Sequence, residues 1–280
     1  MVKRTHIKLT ITYAILVLVG IAMVYPLVWL FFSSFKSNKE IFTSLAILPS
    51  DWDFSGFLQG WKGTGQFGFG DFLLNTFEMV LPTVAATIVS STLVAYGFAR
   101  FDFKLKKILF ALMISTMMLP NAVLVIPRYL LFRDFGWLDS YKPFYIPELF
   151  AFTAFFNYLM IQFIRGIPRE LDESARMDGL GSLRTLVLII LPLCKPALFS
   201  VCIFQFMWTW NDFFNPLIYI NSIRNYPVSL ALRMSIDAQA SIAWNKVLAM
   251  SFVSIVPVVI LFFSAQKYFV DGIATTGLKG

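Results

Sequence analysis

Residues 166–192, GIPRELDESARMDGLGSLRTLVLIILP, decide how this chain is read. They hold four acids, three arginines, three glycines and two prolines, with apolar runs on both sides. Taken alone, residues 168–178 read as a short helix. Pro168 suits its first position, and Glu170, Asp172 and Glu173 place negative charge at the positive end of the helix dipole. Arg176 lies toward the other end. Gly179 and Gly181 are able to take left-handed backbone and stop the helix. Ser182 is placed to cap a second helix, residues 183–191, ending at Pro192. The expectation is a helix–turn–helix elbow. A charged connector that merely sets membrane topology would have the same composition, so the surroundings have to discriminate.

Those surroundings are apolar. Hydrophobic residues make up 58% of the 280 and charged residues 14%, with a mean hydropathy of +0.72. A soluble domain carries roughly 25% charged residues, so this chain belongs in a bilayer. A spanning helix needs about 20 mostly apolar residues. Six runs meet or approach that: 11–32, 79–100, 108–127, 149–164 with a start near Pro143, 196–211 continuing to the region of Ile220, and 247–266. The first has the basic start of a signal peptide but is too long and lacks a clear cleavage site, so it reads as a retained anchor. The predicted organisation is a tail (1–10), an anchor helix (11–33), an external loop (34–70), a core of five spans (71–270) containing the elbow, and a C-terminal tail (271–280).

Charge supplies the orientation. Lys and Arg number three in the N-terminal tail, four in Arg100–Lys107, five from Arg165 to Lys195 and two in the C-terminal tail. That is fourteen on one side of the membrane against nine on the other. The positive-inside rule therefore puts both termini and the elbow in the cytoplasm. The net charge of +7 sits at the ends of apolar runs and forms no basic patch interleaved with aromatics, so no nucleic-acid partner is expected. Cys194 and Cys202 imply no disulfide framework, and His6 is the single histidine, so neither a zinc site nor a His-based triad is expected.

The helices carry packing signals. Thr83, Thr87, Ser91, Ala95 and Ala99 form a small-residue stripe suited to close helix approach. Pro120, Pro127 and Pro257 fall inside or beside spans, where proline kinks a helix. The external loop contains GTGQFG (residues 63–68), which satisfies the dinucleotide fingerprint but lies outside any strand–turn–helix context. No phosphate-cradling G-x-x-x-x-G-K-[ST] occurs in the sequence.

Spacing then identifies the elbow. Glu173-Ser174-Ala175 is followed after three residues by Gly179, and nine residues later by Ile189-Ile190-Leu191-Pro192. This resembles the EAA motif, E-A-A-x3-G-x9-I-x-L-P, of the permease subunits of ABC importers. Ser174 replaces the first Ala of that motif, and Leu180 stands where the sugar-importer version often has Ala. AYGFARFDFKLKK (95–107), WNDFFNPL (210–217) and the ending QKYFVDGIATTGLKG (266–280) are also similar to the sugar importers, in particular to the maltose-type inner subunit. The resemblance implies an all-α type I importer permease with a cytoplasmic coupling helix, in a bacterial cytoplasmic membrane. It implies that Glu173, Ser174, Ala175, Asp178, Gly179, Ile189, Leu191 and Pro192 form the ATPase-coupling elbow. It further implies that the tail, through Thr275, Thr276, Gly277, Lys279 and Gly280, reaches between two ATPase subunits. The implied partners are a second homologous permease, two ATPases that hold ATP and Mg, an extracytoplasmic solute-binding protein, and lipid. The chain itself is expected to hold no cofactor or metal and to catalyse no reaction.

The cargo implied is a di- or oligosaccharide, or alternatively a glycerol-phosphate-type solute. Polar residues at helical spacing mark a candidate pathway: Thr153, Asn157 and Met160 on the fourth span, and Gln205, Trp208, Thr209 and Asp212 on the fifth. Amides and aromatic faces suit sugar hydroxyls and C–H faces. The same residues would serve equally as hydrogen bonds between helices, with Trp210 as an interface anchor. A secondary transporter would instead show ionisable residues deep in its spans, whereas Glu78, Glu148 and Asp212 are read as lying near span ends.

Overall fold

The computed structural model describes residues 2–63, 66–237 and 242–277. Its helices are, in order, α1 (Val2–Ser33), α2 (Asn38–Thr43), α3 (Ser55–Trp61), α4 (Phe69–Arg100), α5 (Lys106–Thr116), α6 (Asn121–Asp134), α7 (Lys142–Leu149) and α8 (Ala154–Arg165). They continue with α9 (Glu170–Met177), α10 (Ser182–Thr185), α11 (Leu191–Leu193), α12 (Lys195–Trp210), α13 (Phe214–Tyr219), α14 (Val228–Asp237) and α15 (Trp244–Gly277). A π-helical segment, Leu186–Ile190, joins α10 to α11. No strand occurs among the described residues.

Among the described residues, four helices are long and apolar enough to cross a membrane: Lys8–Ser33, Phe69–Arg100, Lys142–Arg165 and Trp244–Gln266. Two bent pairs, α5 with α6 and the segment Ser182–Leu193 with α12, bring the number to six when each pair counts as one span. The third span, expected over 108–127 with a proline kink, is two helices rather than one kinked helix. It bends by 103° where Pro120, in extended backbone, precedes α6 without an N–H to continue the ladder. The fifth span also differs. Helix α12 stops at Trp210, and its N-terminal end meets Ser182–Leu193 at 79°. Residues 183–191 therefore belong to the bent pair rather than to an isolated elbow arm.

The chain divides into two units. The first comprises the chain through Asp71 together with Ala231–Pro257. The loop expected at 34–70 is ordered here around aromatic rings, because Phe35 meets Phe31, Trp52, Phe54 and Phe57 at centroid distances of 5.0 to 5.2 Å. Asn38 accepts the Trp244 N–H at 2.8 Å and donates to the Ile242 carbonyl at 3.2 Å. Gly56 lets α3 lie against the start of α15: a Cβ there would stand 2.8 Å from the Asn245 carbonyl oxygen. The decoy motif offers no ligand cradle among the described residues. Gly63 takes φ +73° in a turn so tight that a Cβ would lie 2.1 Å from Phe67 O, and Thr64 and Gly65 lie outside the described residues.

The second unit holds Phe72–Leu230 and the chain from Val258 onward. All five residues of the α4 stripe are buried. Their small size admits α8, the π-segment and α12 into one core around Ala95, Ala99, Phe156, Met160, Ile190 and Val201. The stripe hydroxyls return to their own helix, Thr83 to Met79 O at 2.6 Å and Thr87 to Thr83 O at 2.9 Å, so burying them leaves no unsatisfied donor. Between α6 and α7, Asp139 forms a clasp with the chain that follows α13. Its carboxylate accepts the N–H groups of Asn221 and Ser222 at 3.0 and 2.8 Å. Burial acts to raise the Asp139 pKa, but the hydrogen bonds from Ser222 and Asn221 outweigh it and hold the carboxyl below its ordinary value.

Candidate functional site

The elbow is built as an acid-led helix with a glycine stop. Helix α9 carries Glu170, Asp172 and Glu173 in its first turn and Arg176 in its last, the order that its dipole favours. Pro168 lies just outside, before the N-cap Arg169, rather than at the first helical position. At the other end Gly179 takes φ +78°. Its N–H donates to Arg176 O at 3.0 Å and that of Leu180 to Ala175 O at 2.9 Å, which satisfies carbonyls the helix end would otherwise leave bare. Gly181 departs from expectation. Its backbone is extended, φ −77° and ψ 160°, and it caps α10 itself while Ser182 is the first helical residue. Thr185 donates its hydroxyl to Gly181 O at 3.2 Å.

Pro192 does not end the second arm. The ring has no N–H for the carbonyl four residues back, and the chain absorbs the deficit in the π-segment, where the Leu191 N–H reaches Leu186 O five residues back. The helix then runs through Leu193 and turns at Cys194 before Pro196. Of the motif's apolar end, Ile189 and Leu191 are partly buried and Pro192 is exposed, whereas Ile190 and Leu186 sit at the core.

The two faces of α9 have different tasks. Ala175 is buried within the chain, so its small side chain serves packing at home, while Glu173, Ser174, Met177, Asp178 and Gly179 face outward. Met177 is 88% exposed, and Leu183 on α10 is likewise exposed, an apolar offering among acids. On the inward face Asp172 pairs with Arg100, the last residue of α4, at 3.0 Å. The Arg100 guanidinium also donates to Ile167 O at 3.0 Å, and Arg169 donates to Ala99 O at 3.3 Å. Sequence reasoning counted Arg100 as a topology charge alone. The signal was available: an arginine closing an apolar helix requires a partner if the helix end is covered.

The pathway candidates fall into three local groups. Thr153 and Asn157 stand at the break between α7 and α8, where Ala151 takes φ +56°. Asn157 donates to the Ala151 carbonyl at 2.6 Å, and Thr153 donates to the Glu148 carboxylate at 2.6 Å. Gln205 and Thr209 bond to each other within α12 at 2.8 Å. Asp212 lies beyond α12 and accepts from Asn215 N–H and Nδ2 at 3.1 and 2.7 Å, closing the turn before α13. Asn157, Gln205 and Thr209 are buried, with Asn157 Oδ1 and Gln205 Oε1 lacking hydrogen-bond partners. Met160 is fully buried among apolar side chains. Trp208 lies tilted against Phe155 and Phe156, with ring centroids at 5.2 and 5.0 Å, yet keeps 48% of its surface exposed.

Glu148 corrects the sequence reading. It lies within the Lys142–Arg165 span and is only 7% exposed, receiving a second hydroxyl from Thr87 at 3.3 Å. The C-terminal tail also differs in part: the backbone stays helical through Gly277, so Thr275, Thr276 and Gly277 extend α15. Lys279 and Gly280 lie outside the described residues. No cluster of three or more His, Cys, Asp or Glu able to hold a metal occurs among the described residues.

Comparison with known proteins places these features in a family. The sequence model described as "Binding-protein-dependent transport system inner membrane component" matches residues 87–274. The arabinooligosaccharides transport system permease protein AraQ of Bacillus subtilis is 31% identical, over 98% of this chain and 96% of the relative. The sn-glycerol-3-phosphate transport system permease protein UgpE of Brucella abortus is 28% identical, over 99% of each. A solved structure of a bacterial ABC transporter involved in importing the acidic polysaccharide alginate superposes with a TM-score of 0.83 at 24% identity, covering 94% of this chain and 97% of that one. At that identity the likeness speaks for the fold.

Proposed function

The chain belongs to the inner membrane components of binding-protein-dependent transport systems, and from that premise we propose that it carries a di- or oligosaccharide inward through a pathway shared with a second permease. Two cytoplasmic ATPases drive the cycle, and an extracytoplasmic solute-binding protein delivers the cargo. The observation that supports this most directly is the elbow, whose inward face is fastened to α4 while Glu173, Ser174 and Met177 stay uncovered. A basic, partly apolar cleft on an ATPase fits that face. Rigid-body movement of such an elbow turns nucleotide-driven closure into movement of spanning helices.

The cargo reading rests on relatives and on Trp208. A flat indole backed by two phenylalanines and open on one face suits the C–H face of a pyranose or furanose ring. Buried Gln205, Thr209 and Asn157 reach such a cargo only in a conformation that opens their helices. The glycerol-phosphate reading is favoured by the Brucella relative. Proteoliposomes holding the full complex, its binding protein and internal ATP should separate the two. Radiolabelled oligosaccharide should accumulate and unlabelled glycerol phosphate should fail to compete. Accumulation of glycerol phosphate alone would reverse the choice.

Orientation follows the basic-residue count, with termini and elbow cytoplasmic. Cysteine placed at exposed Asp134, in a Cys194→Ala, Cys202→Ala background, should react with an impermeant maleimide in intact cells. Cysteine at Ser182 should react only after lysis. Asp139 is a poor probe position because its carboxylate closes the clasp. The opposite labelling pattern would turn the chain over in the membrane.

A further inference from the structure

We propose that Arg100 is a positioning residue for energy coupling: it fastens α9 to the C-terminal end of α4, so that the elbow and this spanning helix move as one body. The inference rests on the reading of α9 as the ATPase-docking element. Three contacts carry it. Arg100 Nε meets Asp172 Oδ2 at 3.0 Å, Arg100 Nη2 donates to Ile167 O at 3.0 Å, and Arg169 Nη2 donates to Ala99 O at 3.3 Å.

The geometry gives each contact a reason. The last carbonyls of α4 have no helical partners and carry the negative end of its dipole. Arg100 and Arg169 supply positive charge there, one from each side of the joint. The side chains of Arg100 and Asp172 are only 6% and 14% exposed. Water screens such a pair little, and removing one member strands the other's charge. Ala95 and Ala99, buried at this end of α4, bring the backbones close. Ala175 and Asp172 lie three residues apart, on one side of α9, and both are turned inward. The same helix therefore presents Glu173, Ser174 and Met177 to a partner and Asp172 to α4, with Ala175 buried on the inward side. An ATPase pulling on the first face moves α4 through the second.

The stripe on α4 extends the consequence. One turn after another of this helix is packed into the core, and Thr87 on it reaches Glu148 at the broken span. Displacement at Arg100 is therefore delivered to a helix in contact with the α7–α8 break, instead of being lost in a loose connector.

The test uses the complete complex in proteoliposomes, reading ATPase capture, binding-protein-stimulated hydrolysis and uptake for Arg100→Gln, Asp172→Asn and the double variant. Both single variants should keep the ATPases bound, and uptake should fall about tenfold because an uncompensated charge is left in the joint. The double variant should be no worse than either single one, since it strands no charge. A covalent arm covers poorly folding variants. Cysteines at 100 and 172, joined by a short bis-maleimide in the Cys194→Ala, Cys202→Ala background, should restore uptake relative to the unlinked pair, because a rigid joint tolerates a rigid link. Uptake near the parent level in Arg100→Gln, additive losses in the double variant, or arrest by the cross-link would each overturn the clamp. Glu173→Lys serves as the separate control on docking. Normal ATPase capture in that variant would overturn the docking reading and the clamp with it, whereas intact docking with uptake indifferent to Arg100 overturns the clamp alone.

Discussion

Uptake should fall at least about tenfold in a Gly179→Val chain that still inserts and reaches the membrane, while Gly179→Asn should keep a large part of it. The asymmetry follows from backbone conformation alone. Gly179 sits at φ +78°, and a Cβ built there meets nothing within 4 Å, so valine would not collide with any neighbour. Its cost is the left-handed conformation itself, roughly 1–2 kcal/mol for an ordinary L residue and more for a β-branched one, whereas Asn visits that region with least penalty. To escape the strain the valine chain gives up the bonds from Gly179 to Arg176 O and from Leu180 to Ala175 O. Helix α9 then loses its fixed end, and α10 loses its direction. Helix α9 is not part of any span and buries only Ala175, so insertion should survive while coupling should not. Uptake of radiolabelled oligosaccharide at matched membrane levels measures the effect. Equal uptake in the valine and asparagine variants would show that the turn's geometry is irrelevant to coupling and return residues 166–192 to a plain connector.

Legibility in the sequence depended on whether a feature was local. The α9 stop was legible because an acid-led run ending in glycine dictates its own geometry within a dozen residues. The α4 stripe was legible because a four-residue period of small side chains has one use in a bilayer, and all its members are buried. Bends were only half legible. Pro120 announced a kink, yet an angle of 103° is fixed by what the two halves pack against, which periodicity does not record. The π-segment before Pro192 escaped for the same reason: proline signals a missing donor without saying whether the chain stops or adds a residue to the turn.

Long-range pairings were the least legible. Arg100 and Asp172 are separated by 72 positions in the numbering, and each had a sufficient local explanation, one as a topology charge and one as a dipole charge. Glu148 was read as lying near a span end because the uncharged run begins only at Leu149, even with a start near Pro143. The structure joins them to α8 as one span and covers the carboxylate with two threonine hydroxyls. The external loop was read from its lack of a long apolar run, which does not record that its aromatic residues cluster around Phe35.

Glu148 also sharpens the largest prediction, which concerns the source of energy. Purified alone and placed in liposomes, the chain should bind no ATP, hydrolyse none, and accumulate no sugar under a proton or sodium gradient. The sequence offers no phosphate-cradling loop. The one feature an ion-driven rival could use is the enclosed carboxylate of Glu148, since intramembrane acids are the usual coupling groups of such transporters. Its setting argues for a structural task. Thr153 and Thr87 donate to it, and both its oxygens are thereby used to hold the broken α7–α8 span against α4. On this account Glu148→Gln, which keeps an acceptor for Thr153, should retain most ATP-driven uptake by the full complex, and Glu148→Leu, which takes the acceptor from Thr153 and removes the tie to Thr87 on α4, should lose it. Collapsing the ion gradients should leave ATP-driven uptake unchanged. Loaded binding protein should raise hydrolysis, and by linkage of the two binding equilibria a nucleotide that closes the ATPases should tighten binding-protein docking by the same factor as docked binding protein tightens nucleotide binding. Gradient-driven uptake by the isolated chain, abolished by Glu148→Gln, would make this a secondary transporter and overturn the ATP-coupled assignment, because a carboxylate that only pins a helix has no reason to be needed in its titratable form.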